Sequence, residues 1–163
     1  MTRTTTLIAI LFHGAIFGFF YAWVVSTMWG LDTMAPTEAI AAMNAMNASV
    51  RNAAFAPAFF GTPCVSALAA ILAWRTGART AALWVGAGTV LYTCGAMILT
   101  MRINVPMNEA LMALTPEQIG AEAGTLWAAY SERWQMWNQV RTGTSGVALA
   151  LVAIGYGQLR AAA

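Results

Sequence analysis

The chain has 163 residues, of which 60% are hydrophobic and 9% charged, and it contains no lysine. A soluble domain of this length carries roughly a quarter charged residues, so the composition excludes an ordinary water-facing surface and points to a membrane. A net charge of +2, with the arginines scattered, excludes a nucleic-acid-binding face.

Taken in chain order, the first apolar stretch runs from about Leu7 to Trp29. About twenty mostly apolar residues suffice to cross the hydrocarbon core. The run is longer than a signal sequence and no small-x-small cleavage site follows it, so it reads as a retained span. Gly14 and Gly18 stand four residues apart, a small-xxx-small pattern that lets membrane helices approach closely. His13 is the single histidine, and its simplest reading is a neutral imidazole bonded to a neighbouring helix. A haem-ligand role is the alternative, needing His13 from two subunits or a His/Met pair. The cofactor expectation is otherwise none.

The connection that follows is too patterned to be a plain loop. Pro36-Thr37-Glu38 opens a helix that continues towards Asn52. Asn44, Asn47 and Arg51 recur at i, i+3 and i+7, so they share one face of it. The second span covers about residues 56–74 and the third about 81–101, separated by a short turn with Arg75 and Arg79. Cys64 and Cys94 lie inside these spans without CxxC spacing and read as buried free thiols acting as small hydrophobes.

Past the third span comes Arg102-Ile103-Asn104-Val105-Pro106-Met107-Asn108-Glu109. Pro106 lacks an N–H and is expected to end or kink the helix there, freeing carbonyls beside the Asn104 and Asn108 amides. Thr115-Pro116-Glu117-Gln118 then carries a capping box, opening a second outer helix. The fourth span covers about residues 138–159. Each half is thus span, outer helix, span, a loose two-fold repeat.

The fold class is therefore all-α: one domain over residues 1–163, a four-helix transmembrane bundle with two additional helices on its outer face. Arg3, Arg75, Arg79 and Arg160 gather on one side, where no acid lies, and all six acids fall in the other two connections. The positive-inside rule puts both termini in the cytoplasm, in what reads as a bacterial cytoplasmic membrane.

Trp134, Trp137, Asn138, Arg141 and Ser145 form one stripe that continues into the fourth span. An arginine a turn inside an apolar helix is costly without a partner or a wet cavity, so Arg141 marks a candidate site. Asn104, Asn108, Asn138 and Glu109 are its candidate neighbours. Trp134, Trp137, Asn47 and Arg51 are the candidate ligand-binding residues.

Asn104-Val105-Pro106-Met107-Asn108, followed by Trp134-Gln135-Met136-Trp137-Asn138-Gln139-Val140-Arg141, resembles the signature of the anthrone-oxygenase-like membrane proteins. Asn47 in its Met-Asn context and Phe59-Phe60-Gly61-Thr62 add to the resemblance, which takes in nearly the whole chain. It implies a compact membrane bundle. It also implies, for some members, oxidation of anthrones to anthraquinones by molecular oxygen without metal or flavin. On that reading Arg141, Asn138, Asn104 and Asn108 stabilise an oxyanion, Glu109 is the nearest candidate general base in sequence with His13 as the alternative, and the tryptophans stack on an aromatic plate. The alternative is a non-enzymatic membrane protein that binds a lipid, a quinone or a partner helix. The partners implied are membrane lipid and a small aromatic or quinone-like ligand; a homo-oligomer is compatible with both readings.

Overall fold

A computed structural model of the protein describes residues 1–161, with side chains through residue 159. The side chain of Arg160, counted in the topology argument, lies outside the described residues. The described chain is helical, with short connections. Helix α1 is Thr2–Asp32, α2 is Pro36–Ser49, α3 is Phe55–Arg75, α4 is Arg79–Met112 and α5 is Pro116–Ala161. Three of them, α1, α3 and α4, are long and apolar enough to cross a membrane, which makes this an integral membrane protein.

Helix α1 packs against α3 and α5, and α4 against the same two. Helix α2 lies across one end of these four, touching the end of α1, the last turns of α4, and α5. It buries Ile40 and Met43 against Trp127, Tyr130 and Trp134 of α5. Large side chains left on the outside include Leu11, Trp29, Ile71, Leu83 and Val90, an apolar surface that suits lipid and not water.

Local chemistry sets the helix starts. Ala35 is extended before Pro36, as a residue preceding proline prefers, and Pro36 occupies the first turn of α2. At α5 the capping box forms: the Gln118 N–H donates to Thr115 Oγ1 at 3.3 Å, and the Thr115 N–H donates to Gln118 Oε1 at 2.9 Å.

Several expectations are corrected. The second outer helix opens at Pro116 as expected but is short: non-helical geometry at Glu122 (φ −130°, ψ 17°) makes a kink between two helices within α5, and the second of them runs on into the stretch expected as span four. Pro106 does not end its helix, which continues to Met112. Two wider π-helical turns, Thr93–Ile98 and Thr100–Asn104, precede it, and Pro106 falls in the first turn of the next α-helical segment, where a missing N–H costs little. Arg51 lies beyond the end of α2, so it leaves the face shared by Asn44 and Asn47. Cys64 and Cys94 are free but exposed on the outer surface, not buried.

The close helix approach also falls elsewhere than expected. A Cβ at Gly14 or Gly18 would meet nothing within 4 Å among the described residues. At Gly88 it would stand 2.8 Å from the Ala148 carbonyl oxygen, and at Gly155 it would stand 3.0 Å from that of Ala81. Glycine is needed where α4 meets α5, because backbone cannot yield as a side chain can. Gly88→Ala is expected to cost about 1–3 kcal/mol in detergent unfolding. Gly14→Ala should be neutral or stabilising by up to about 1 kcal/mol, as alanine is the better helix former. Equal effects at the two positions would refute this packing.

Candidate functional site

The α2-covered end holds a cavity of about 610 Å³, within the range of about 300–1,000 Å³ usual for small-molecule sites. Its walls are largely aromatic and apolar: Phe19, Phe20 and Trp23 of α1, Phe55, Phe59 and Phe60 of α3, and Trp134 of α5. Asn47, Arg51, Asn108, Glu109, Thr100 and Arg141 supply polar groups. Two of the π-helical turns contribute directly. Trp23 begins the turn Trp23–Thr27, and Thr100 and Met101 lie in the turn Thr100–Asn104. The extra residue in such a turn re-aims the side chains around it, and such turns recur at functional sites.

Arg141 is 5% exposed. Its Nε donates to Asn138 Oδ1 at 2.8 Å and its Nη1 to Thr100 Oγ1 at 3.3 Å. The guanidinium lies 4.3 Å from the Phe20 ring centre and 4.9 Å from that of Trp134, so two π faces partly replace its water. Asn138 Nδ2 donates to the Phe20 carbonyl at 3.3 Å, which pins the amide that orients Arg141. No carboxylate pairs with Arg141 among the described residues: the one ion pair there joins Arg51 Nη2 to Glu109 Oε1 at 3.3 Å, at the exposed rim.

A second network borders the cavity. Trp134 Nε1 donates to Asn108 Oδ1 at 2.9 Å and the Tyr130 hydroxyl donates to the same oxygen at 2.8 Å. An indole N–H can only donate, so this fixes the amide orientation of Asn108. Its Nδ2 must then donate to Asn47 Oδ1, at 2.9 Å. Burial raises the Tyr130 phenol above its ordinary value, against the opposing effects of the Asn47 amide and the Arg141 charge. Its hydroxyl therefore remains a donor at neutral pH.

Of the residues singled out in the sequence, Asn47, Arg51, Asn108, Glu109, Trp134 and Arg141 line the cavity. Asn138 stands behind Arg141 as its positioning partner. Trp137 is partly buried and is not among the lining residues; Trp23, against Trp134 at 5.1 Å between ring centres, occupies the wall instead. Asn104 is 1% exposed and also off the wall, and neither its Oδ1 nor its Nδ2 has a hydrogen-bond partner among the described residues. His13 is enclosed, with Nε2 at 3.0 Å from Ser66 Oγ of α3 and its ring edge-on to Tyr92. That is the bonded core histidine of the simpler reading. Among the described residues no three or more His, Cys, Asp or Glu side chains gather as a metal site would need.

Sequence reasoning missed Thr100, Tyr130 and the α1 aromatics. Tyr130 was within reach, since Tyr130, Trp134, Asn138 and Arg141 fall at i, i+4, i+8 and i+11 on one helix face. It also missed the Asp32 clasp, which ties the end of α1 to α5. Asp32 Oδ1 accepts from Trp127 Nε1 at 3.0 Å and Ser131 Oγ at 2.7 Å, and Oδ2 accepts from Gln135 Nε2 at 2.9 Å.

Together these features define a small helical membrane protein with an aromatic-walled cavity that holds a buried guanidinium, without a carboxylate partner among the described residues. Residues 50–151, more than half of the chain, match the family model described as anthrone oxygenase, and the chain belongs to that family. The matched region takes in α3, α4 and the Arg141 stripe of α5, and leaves α1 and α2 outside. No curated protein and no solved structure matches the chain.

Proposed function

We propose that the protein is a four-span membrane oxygenase that oxidises a phenolic, anthrone-like or quinol substrate with molecular oxygen in the Arg141 cavity. The observation that carries this reading is a buried guanidinium with no carboxylate partner among the described residues, set in an aromatic wall. A desolvated cation is expensive, and a ligand oxyanion is the partner that relieves it. Family membership supplies the reaction class.

In this mechanism the substrate lies between the phenylalanines of α1 and α3 and the Trp23–Trp134 pair. Glu109, at the rim, receives the proton that the substrate loses. Arg141, held by Asn138 and Thr100, stabilises the resulting enolate or phenolate oxygen. The electron-rich anion then reduces oxygen. For an anthrone, a CH₂ becomes C=O, and anthrone plus O₂ gives anthraquinone plus water. The chemistry runs without metal or flavin, and the protein's part is to bind, to bias the proton equilibrium and to exclude bulk water.

The test is oxygen consumption by purified protein with 1,8-dihydroxyanthrone and metals chelated. One O₂ consumed per quinone formed, above the rate without protein, supports the proposal; loss of uptake on chelation overturns it. A binding-only protein is the competing reading, favoured by the engagement of Glu109 with Arg51. It predicts ligand affinity with no oxygen uptake.

The membrane arrangement belongs to the same proposal: one four-helix transmembrane domain with both termini in the cytoplasm. Part of α5, residues 138–159, is the fourth span, its apolar character diluted by Asn138, Gln139, Arg141 and Thr142. The orientation rests on the short turn with Arg75 and Arg79 and its lack of acids, since Arg51, Arg102, Arg133 and Arg141 lie towards the other end. In intact cells, a cysteine placed at Gly77 should resist an impermeant maleimide and one at Gly120 should react. The reverse pattern would put the cavity on the cytoplasmic side.

A further inference from the structure

We infer that the ligand enters the cavity sideways from the bilayer, between α3 and α4, and so belongs to the class of membrane-dissolved, uncharged aromatic hydroxy compounds. The inference rests on reading the cavity as a ligand site, and it adds the route and the physical state in which the ligand arrives.

Two apolar stripes are exposed on neighbouring helices. On α3, Phe60, Cys64, Leu68 and Ile71 face outwards; on α4, Val90, Cys94, Ile98 and Met101 do. In a membrane these faces touch lipid. Phe60 (50% exposed) and Met101 (44% exposed) also line the cavity. At these two side chains the cavity wall and the lipid-facing surface are the same surface.

Helix packing explains the opening. Near the Arg75–Arg79 turn the two helices are drawn together by small side chains, with Ala73 of α3 buried beside Ala81 and Ala82 of α4. Towards the other end Phe59 and Tyr92 stand between them, and residues 100–112 scarcely contact α3. The gap there is flanked by apolar side chains, with no ion pair across it among the described residues.

The end facing the polar connections is different. Helix α2 covers it, and the Arg51–Glu109 pair spans from the 50–54 connection to α4. That connection is held in place by Asn52, whose Oδ1 accepts from the N–H groups of Ala54 and Phe55 and whose Nδ2 donates to the Ser49 carbonyl. A ligand from water would have to part an ion pair; one from lipid meets Phe60 and Met101. An apolar phenol crosses lipid in its neutral form and gives up its proton only on reaching Arg141. A sulfonated or glycosylated analogue would not take that route.

The experiment uses the full chain in phosphatidylcholine vesicles, with Cys64→Ala, Cys94→Ala and a reporter thiol from Val105→Cys on the cavity wall. Labelling by bilayer-dissolved N-pyrenylmaleimide and by a water-soluble disulfonated maleimide is followed by intact mass. Narrowing the gap with Met101→Trp, or with Phe60→Trp as an independent variant, should slow the pyrenyl reagent by about tenfold or more and leave the disulfonated one unchanged. Glu109→Ala should speed only the disulfonated reagent. Unchanged pyrenyl labelling in both tryptophan variants, or acceleration of both reagents by Glu109→Ala, overturns the lateral route. Protection of the reporter by 2-naphthol tests the site separately: without protection the phenol-binding reading falls, while the route still stands or falls on the labelling rates.

Discussion

Arg141→Gln is expected to lower the turnover number of protein-dependent oxygen uptake by about 100- to 1,000-fold, the effect of removing one preorganised oxyanion donor. The Michaelis constant should change by less than about tenfold. The difference follows from where the charge appears. On the proposed mechanism the substrate binds in its neutral form against Phe20, Trp23 and Trp134, and that apolar contact is the same before and during reaction. Negative charge on the oxygen develops only as the proton leaves, and only then does a cation 4.3 Å from the Phe20 ring distinguish itself from a neutral amide. Arg141→Lys keeps the charge but loses the forked geometry that Asn138 and Thr100 orient, so it should fall between wild type and Arg141→Gln. The Gln variant should be no less stable than wild type, because an uncompensated buried charge has been removed. A variant with undiminished turnover, or one that only loses affinity, would remove Arg141 from the chemistry.

The second large effect is expected at Asn108, and it falls on stability. Asn108 accepts from Tyr130 and Trp134 and donates to Asn47, joining α4, α5 and α2 through one side chain. Leucine is close to asparagine in size but satisfies none of the three. Orphaned buried groups cost about 1–3 kcal/mol each in soluble proteins, though hydrogen bonds between membrane helices average nearer 0.6. Asn108→Leu should therefore destabilise by about 2–4 kcal/mol in detergent unfolding. Asn108→Asp is the informative control. A carboxylate still accepts from Tyr130 and Trp134 but sets oxygen against Asn47 Oδ1, so a smaller loss is expected. A change below about 0.5 kcal/mol for the leucine variant would mean that the network contributes no net stability.

The amino-acid sequence by itself determined the helical class, the membrane setting and the family. Long apolar runs, few charges and capping residues are local signals, and each helix start can be read without knowing its neighbours. The Thr115–Gln118 capping box and the Pro36 helix start formed as read. Arg141 was legible as a site candidate for the same reason: its cost in an apolar helix is a property of that helix alone. What only the tertiary structure decided depends on how helices face one another. Gly14-Gly18 fits a packing motif, yet the close contact is made by Gly88 and Gly155, because α4 and α5 turn those residues towards each other. Cys64 and Cys94 looked buried because their segments are apolar, but in a membrane protein apolar residues face outwards as readily as inwards. Trp137 lies three residues from Trp134 yet off the wall, while Trp23, more than a hundred residues away in sequence, completes it. Three π-helical turns rotate Trp23, Thr100 and their neighbours relative to an ideal helix, and no residue spacing announces where such a turn falls. The partners of a buried arginine, and the opening between α3 and α4 proposed as the ligand's way in, depend on how the helices face one another.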